Sequence, residues 1–467
     1  MDNLQTDVVH ELRETLGDEA VCASRDEIVW LMRDESWLSP VLQRDVERRT
    51  REQGAGFGVQ AVVRPINEDD VIQLARIAAR RRLPLIPRGG GTSNFGLLAP
   101  EGGGLIVDFR GLAGDPHVGN GVVRAPAGTL QGNMERAARA KGLELPVLTT
   151  TYAIATIAGW LCGGHAGLGS VMHGAVWDGS VDAIRVVTVE EQPRTLTFRG
   201  EEAHPLLHTF GAVGLCTEVA MRVGPVHDWF EAVSFFPTFA QASAFVSEIS
   251  NDGHYRVRIA AAQEEELMAG IRQLRSARQP GAGVLMIFDR TQMAGVRRLV
   301  AAHGGQLVEW QAWKVESGRK PSIGQMVYGH RMLWVKQHLP KAAFCHLYYD
   351  PRDPGATVKL LKDRFGDELL VEMKFVRSKW MLRALGMSGN SLPAALCVVR
   401  NGCEHGKVDE VLRFCDDNNI KYQNSHTNVI EDNGLFSDIA PIVQMKSELD
   451  PHNLLNRGRL RSATTRP

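Results

Sequence analysis

Glycines are concentrated in one part of this chain of 467 residues. Of its 47 glycines, the densest groups lie between residues 89 and 181. They form two regions, "LPLIPRGGGTSNFG" (83–96) and "ATIAGWLCGGHAGLGSVMHGAVWDGS" (155–180). A backbone without Cβ atoms allows a ligand to approach closely. Two such regions therefore predict one extended ligand held from both sides.

The first region matches neither of the common phosphate-binding fingerprints. A P-loop ends in Gly-Lys-Ser/Thr, and this loop contains no lysine. A dinucleotide fingerprint that begins at Gly89 would need glycine where Asn94 stands, and it would need a following helix. Two interpretations remain: an anion nest of backbone N–H groups with polar side chains added, or a glycine-rich turn between strands.

Composition excludes several classes of protein. The net charge of −1 lacks the basic excess of a nucleic-acid binder. Seven scattered cysteines without a CxxC pair argue against a disulfide framework and favour a reducing compartment. The acidic N-terminus is unlike a signal peptide, and no apolar run is long enough to span a bilayer. We expect a cytoplasmic protein with no membrane span and no nucleic-acid partner.

The glycine content and the predicted secondary structure change along the chain. "AVVRP" and "LPLIP" read as strands around the helical pattern "INEDDVIQLARIAARRR", for which Asn67 and Glu68 make a plausible start. After Pro225 glycines become fewer and helices longer. We expect an α+β fold divided into an N-terminal helical segment (1–55), a cofactor domain (56–225), a substrate or cap domain (226–440) and a segment returning to the cofactor domain (441–467).

Five motifs in order resemble a known superfamily: "PRGGGTS", "ATIAGWLCGGHAG", "HGAVWDGSV", "GAVGLCTEVAMRV" and "LDPHNLLNRGRL". The order is similar to that of the flavoproteins typified by vanillyl-alcohol oxidase and p-cresol methylhydroxylase (PCMH). The nearest branch is that of the glycolate oxidase FAD subunit and D-lactate dehydrogenase. The resemblance covers residues 55–225 and the C-terminal segment. It implies a two-subdomain PCMH-type FAD-binding domain and an α/β cap.

The resemblance also implies which residues hold FAD. The first loop would cradle the pyrophosphate, 156–164 would run along the ribityl chain and flavin, and 211–218 would approach the adenine. Relatives with covalent FAD often carry histidine where Thr92 stands, so non-covalent FAD is expected. The implied cofactor residues are Arg88, Gly89, Gly90, Gly91, Thr92, Ser93, Asn94, Thr156, Gly159, Gly163, Gly164, Gly174, Asp178, Gly214 and Leu215.

Hydroxy-acid oxidation would need an arginine for the carboxylate and a base for the hydroxyl proton. "VYGHRMLWVKQHLP" offers Arg331, and "QNSHTNVIEDNG" offers His426 as the base. His165 and His173, in the second glycine region, are further candidates for the catalytic site. Tyr348, Tyr349 and Lys374 are candidate pocket residues.

No metal site is expected. The metal-binding stretch of the related branch would fall near "LGMSGNSLPAAL", which contains no histidine. A replacement set would have to come from His346, Glu404, His405 and His426, whose spacing shows no metal pattern.

The resulting prediction is an FAD-dependent oxidoreductase that removes hydride from an alcohol carbon, that of a small 2-hydroxy acid such as glycolate or D-lactate. The electron acceptor could be oxygen, a quinone or a partner protein. Two alternatives stay open: a flavin-dependent C=C reductase or sugar-alcohol oxidase of the same fold, and a non-catalytic flavin-binding subunit.

Overall fold

The fold is mixed helix and sheet, seen in a computed structural model that describes residues 2–316 and 320–463. The helices are α1 (Asp2–Leu16), α2 (Arg25–Leu31), α3 (Pro40–Gln53), α4 (Glu68–Arg81), α5 (Gln131–Arg139), α6 (Ile157–Gly163), α7 (Ser170–His173), α8 (Phe239–Asn251), α9 (Glu265–Gly270), α10 (Met293–Ala302), α11 (Met332–His338), α12 (Pro354–Phe365), α13 (Lys379–Ala384), α14 (Lys407–Asp417) and α15 (Ala440–Leu449).

The strands build three main sheets and one short pair, β7 with β11. Their bounds are β1 (Val21–Cys22), β2 (Val59–Val63), β3 (Leu85–Arg88), β4 (Gly104–Asp108), β5 (His117–Gly119), β6 (Val122–Pro126), β7 (Leu143–Glu144), β8 (Val181–Val187), β9 (Thr195–Arg199), β10 (Leu215–Arg222), β11 (Gly224–Pro225), β12 (Trp229–Phe236), β13 (Val257–Gln263), β14 (Ala282–Asp289), β15 (Gln306–Ala312), β16 (Ala343–Tyr348), β17 (Leu369–Leu370), β18 (Glu372–Val376), β19 (Leu392–Val399) and β20 (Lys421–Gln423).

The first sheet has the order β1-β2-β4-β3, with β4 parallel to both β2 and β3. Helix α4 connects β2 to β3 and begins at Glu68, as the sequence predicts. The Asn67 side chain accepts a hydrogen bond of 2.9 Å from the N–H of Asp70, which satisfies a free donor at the helix start. The first glycine loop follows directly at the end of β3.

Two antiparallel sheets complete the frame. The second sheet has the order β5-β6-β10-β8-β9. The third is the largest and runs β15-β12-β14-β13-β18-β19-β16-β20, with β17 beside β19. Its inner strands are buried along their whole length, which suits a sheet packed on both faces.

The C-terminal segment returns to the first sheet. Leu85 in β3 receives a hydrogen bond from Asn456 and donates one to Leu454, each 2.9 Å long. The third sheet is joined to the earlier part of the chain by Trp177 and Trp380, whose rings stack with centroids 3.9 Å apart. Trp177 belongs to the second glycine region, and Trp380 lies in α13, which follows β18 of the third sheet.

Two further features of the fold concern disulfide bonds and membrane-spanning helices. All seven cysteines are free. Within residues 2–316 and 320–463, no helix combines the length and apolar character needed to cross a lipid bilayer.

Candidate active site

The two glycine-rich regions pack directly against each other. A Cβ atom built on Gly89 would lie 2.2 Å from Thr156 Oγ1, and one on Gly90 would lie 2.3 Å from the carbonyl oxygen of Ile154. Real Cβ atoms do not come this close, so glycine is required at both positions. Thr156 also begins α6, because its Oγ1 accepts a hydrogen bond of 3.2 Å from the N–H of Gly159.

A narrow cavity, here called the glycine cleft, lies beside this contact between the two glycine-rich regions. Its floor is backbone of the first loop, and Gly91 has a φ of 69° that favours glycine. Residues of the second region and of the loop before β10 close it. The lining includes Arg88, Gly89, Gly90, Gly91, Thr92, Ser93, Thr156, Gly159, Trp160, Gly163, Gly211 and Gly214.

A second, wider cavity of about 250 Å³, here called the polar cavity, adjoins the cleft. The two cavities share Thr92, Ser93, Ala155, Gly159, Trp160 and Gly163, so one long ligand can reach from one into the other. The third sheet and the turn before α11 supply the far wall. Besides these shared residues, the polar lining residues are Glu35, Asn94, Thr149, Thr150, Thr151, His165, Tyr328, His330, His346, Tyr348 and Lys374.

Several buried polar atoms at this cavity lack a partner. Within the described residues, Trp160 Nε1, His330 Nδ1, His346 Nε2 and Tyr348 Oη make no hydrogen bond. Native proteins pair nearly all such groups, so a cluster of exceptions at one cavity points to a bound ligand.

The turn before α11, which lines the same cavity, has an unusual backbone, because Tyr328 has a φ of 54°. Unfavourable backbone conformations of this kind are concentrated at ligand sites.

Two histidines of the cavity are held neutral by their surroundings. Burial, with the charges of His208, His346 and Lys374, lowers the pKa of His165 well below its usual value. Burial, with the charge of Lys374, also lowers the pKa of His346 to about 3. A neutral imidazole carries a lone pair on one nitrogen. Both rings are therefore neutral at pH 7, and each has one nitrogen that can accept a hydrogen bond.

Beneath the cavity three charged side chains form a buried cluster. Lys374 Nζ lies 2.5 Å from Glu372 Oε2, and Arg331 Nη1 lies 3.3 Å from Glu372 Oε1. The N–H of Leu396 donates a further hydrogen bond of 2.7 Å to the same carboxylate. These charges hold the pKa of Glu372 below its usual value although burial opposes them. Glu372 is therefore an ion that both cations share.

Arg331 does not reach the cavity, which corrects the prediction that it anchors a substrate carboxylate. Its side chain is fully buried, and its guanidinium contacts Glu372 and the carbonyl oxygen of Leu396. The cation that does line the cavity is Lys374, which the sequence suggested only as a pocket residue.

His426 lies outside both cavities, which corrects its prediction as the catalytic base. Its Nδ1 is 2.7 Å from Ser39 Oγ, and its Nε2 is 2.7 Å from the carbonyl oxygen of Phe344. Because a carbonyl only accepts, Nε2 must donate, and Nδ1 then accepts from the serine. Both nitrogens are occupied, and burial lowers the pKa of His426 to about 4. The side chain holds two parts of the chain together and has no lone pair for a substrate.

Of the other predicted site residues, some line a cavity and some do not. His165 lines the polar cavity, whereas His173 ends α7 with an exposed side chain outside both cavities. Asp178 also lies outside them: its carboxylate accepts hydrogen bonds from the N–H groups of Ala175 (2.8 Å) and Trp380 (3.1 Å). Gly174 packs against Asp178, where a Cβ would lie 2.6 Å from that side chain. Gly174 and Asp178 therefore support the loop, and none of the three residues lines a cavity.

Most of the predicted cofactor residues do line a cavity. Leu215 does not, because it is buried in β10 opposite Val187. Tyr349 is also buried away from the cavities, with its hydroxyl donating to the carbonyl oxygen of Glu372. The residues that line the glycine cleft, the polar cavity or both are Arg88, Gly89, Gly90, Gly91, Thr92, Ser93, Asn94, Thr156, Gly159, Gly163, Gly164 and Gly214.

Besides Thr149, Thr150 and Thr151, four further polar lining residues were not singled out in the sequence. Glu35 belongs to the N-terminal segment, Trp160 to the second glycine region, and Tyr328 and His330 to the turn before α11. The "YGH" that precedes Arg331 was the available signal, since it places aromatic and titratable groups beside a glycine. Among the described residues, no three His, Cys, Asp or Glu side chains are grouped to hold a metal ion.

The comparison with protein families gives one match. Residues 59–196 match the family described as an FAD binding domain. This range includes the whole of the first glycine loop and the second glycine region. The match begins in β2 and ends in β9.

Three curated relatives match parts of the chain. Glycolate oxidase subunit GlcD of Bacillus subtilis is 27% identical over 35% of this chain and 37% of its own length. Alkyldihydroxyacetonephosphate synthase of Dictyostelium discoideum is 26% identical over 49% of this chain and 38% of its own. D-lactate dehydrogenase of Archaeoglobus fulgidus is 23% identical over 57% and 62%. Each match therefore spans less than two thirds of the relative.

Among solved structures the likeness extends over nearly the whole chain. Two structures of alkyldihydroxyacetonephosphate synthase have TM-scores of 0.70 and 0.69 at 15% and 16% identity. Each covers 97% of this chain, with 84% and 85% of the synthase chains covered. At this identity the likeness shows that the fold is shared, including the part that follows the matched domain.

Proposed function

On the premise that this chain carries a PCMH-type FAD-binding domain and binds FAD, we propose that it is an enzyme oxidising the alcohol carbon of a small 2-hydroxy acid. The observation that carries the proposal is the polar cavity. It shares a wall with the glycine cleft, contains the neutral imidazole of His165, and has unpartnered polar atoms around it.

The residues present fit FAD. The cleft needs glycine at Gly89 and Gly90, and it exposes the backbone of the first loop, which suits a pyrophosphate. Trp160 Nε1, which has no partner among the described residues, lies where the two cavities meet and can donate to the cofactor. The first loop would hold the pyrophosphate, Gly159 and Gly163 would face the flavin, and Gly214 would face the adenine side.

FAD, when bound, accepts two electrons as a hydride. His165 would take the proton of the substrate hydroxyl, while the C–H electron pair leaves the same carbon as the hydride. The C–O single bond becomes a carbonyl, so the substrate loses two electrons and two hydrogens and becomes a 2-oxo acid. Burial keeps His165 neutral before the reaction, which suits a base.

The test is anaerobic mixing of the FAD-loaded protein with a panel of D- and L-2-hydroxy acids, polyols, phenols and dihydroxyacetone phosphate. Bleaching of the visible flavin absorption by a 2-hydroxy acid is the expected result. His165→Asn should slow flavin reduction by about 100- to 10,000-fold, whereas the control His173→Asn should not. A protein that cannot be loaded with FAD contradicts the cofactor assignment, and bleaching by other compounds alone contradicts the substrate.

A second candidate is a reaction on a phosphate ester that carries an alkyl chain. It is favoured by the synthase fold, which extends over 97% of this chain, and by the match to the Dictyostelium synthase. This function predicts tight binding of dihydroxyacetone phosphate without bleaching by hydroxy acids. Bleaching by a polyol would favour a sugar-alcohol oxidase, and an inert flavin that binds none of the panel would favour a non-catalytic subunit.

A further inference from the structure

Lys374 stands at the wall of the polar cavity without being on the surface of the protein. It lies on β18 with 5% of its side chain exposed, and it lines the same cavity as His165, His346 and Tyr328. Its Nζ is 5.0 Å from the centroid of the Tyr328 ring. Its charge acts on both imidazoles, because it lowers the pKa of each. Lys374 and the group proposed as the base therefore line the same cavity.

The buried cluster contains more positive than negative charge. Arg331 and Lys374 are cations, and the Glu372 carboxylate between them is a single anion. All three side chains are at least nine-tenths buried. A buried charge without a counter-ion is costly. Within the cluster one cation therefore has no anion of its own; burial lowers the pKa of Lys374, and the Glu372 carboxylate opposes that shift.

Of the two cations in the buried cluster, Lys374 is the one that lines the polar cavity. Arg331 is fully enclosed, and Lys374 is the only lysine or arginine among the described residues that line the polar cavity. The one acid among the described residues of that lining is Glu35, which accepts a hydrogen bond of 2.6 Å from Trp37 Nε1 and whose charge acts on His330. The neighbouring His165 and His346 are neutral because burial lowers the pKa of each.

We propose that Lys374 receives the anionic group of the substrate, so that the polar cavity selects molecules with a terminal oxyanion, either a carboxylate or a phosphate. Glu372 orients the ammonium, and Arg331 holds Glu372 in the ionised form. An oxyanion on Lys374 would bring the adjacent carbon of the substrate beside His165. This inference deepens the proposed function and depends on it only for the identity of the reaction, because anion binding can be measured without turnover.

The experiment titrates the FAD-loaded protein with two anions that it cannot oxidise, oxalate and inorganic phosphate. Binding is followed by the change in the visible flavin spectrum and by equilibrium dialysis. Lys374→Met should weaken binding by roughly 10- to 100-fold, the usual worth of a charged hydrogen bond. The control is Lys359→Met, which removes an exposed lysine of α12 on the outside of the protein. It should leave both affinities unchanged.

Each outcome decides the inference. Binding of oxalate alone supports a carboxylate, and binding of phosphate alone supports a phosphate ester. Absence of binding by the wild-type protein, or equal binding by Lys374→Met, overturns the inference. If the Met variant yields no FAD-loaded protein, Lys374→Gln takes its place, because an amide keeps a hydrogen bond to Glu372 while removing the charge. Anion binding that depends on Lys374 without hydroxy-acid bleaching would support the inference and reject the proposed reaction.

Discussion

Ser39 and His426 are joined by a hydrogen bond of 2.7 Å although 387 positions separate them in the chain. The serine also caps α3, since its Oγ accepts a bond of 3.2 Å from the N–H of Leu42. On its other side the imidazole donates to the carbonyl oxygen of Phe344 in β16. One neutral histidine therefore fastens the N-terminal helical segment to the third sheet.

His426→Ala should destabilise the protein rather than abolish its chemistry. Loss of two buried hydrogen bonds and of the ring should lower the free energy of unfolding by about 2–4 kcal/mol. Urea unfolding measures this loss. Flavin reduction at a temperature well below the transition should proceed at the rate of the wild type. A large loss of that rate in a folded, FAD-loaded variant would restore His426 as a catalytic candidate.

The same residue predicts how stability depends on pH. The pKa of His426 is about 4 in the folded protein and 6.5 in a free side chain. Its contribution is fully present above pH 6.5 and is lost as the pH falls toward 4, because the unfolded chain then binds the proton more readily. Urea unfolding across this range should therefore show a decline, which His426→Gln should reduce. An identical decline in wild type and variant would assign the effect to other buried histidines.

Gly89→Ala should remove flavin binding. The new methyl group would lie 2.2 Å from Thr156 Oγ1, so the first glycine loop could not keep its contact with α6. Gly102→Ala is the matched control, because a Cβ there meets nothing within 4 Å. The ratio of flavin to protein after purification, with the melting temperature, distinguishes the two. Normal flavin content in Gly89→Ala would show that the loop can shift without consequence.

Glu372→Gln should lower the free energy of unfolding much more than Lys374→Met does. The first change leaves two buried cations without their shared anion and should cost about 3–5 kcal/mol. The second leaves Arg331 and Glu372 as a balanced pair in a packed site and should cost under about 1.5 kcal/mol. Urea unfolding of both variants without substrate tests the order. A reversed order would mean that Glu372 is not the shared counter-ion.

Flavin reduction should be insensitive to pH between 6 and 8. Burial holds the pKa of His165 well below 6.5, so the base is already neutral throughout this range. Stopped-flow measurement at saturating hydroxy acid gives the rate directly. A decline with a midpoint near 6.5 would indicate a solvated histidine as the base and would exclude His165 in its present surroundings.

Features of the sequence that depend on residues close together in the chain were predicted well, such as the start of a helix and a glycine-rich turn. Asn67 predicted the start of α4, because capping depends on residues three positions apart. The glycine regions predicted the cleft, since glycines of both regions form part of its wall. The sequence predicted His426 as the catalytic base, yet both of its ring nitrogens are bonded, to Ser39 and to the carbonyl oxygen of Phe344. No local pattern reports a partner that lies hundreds of residues away.

The sequence by itself determined the cofactor domain, because its glycine spacing and motif order record where a backbone must approach a ligand. Tertiary structure alone decided which charged groups line the polar cavity. Arg331 and Lys374 are both cations near the same strands, and only the placement of Glu372 and Leu396 encloses one and leaves the other at the cavity. The physical reason is that burial and charge pairing depend on the whole surroundings of a side chain, which the sequence does not display.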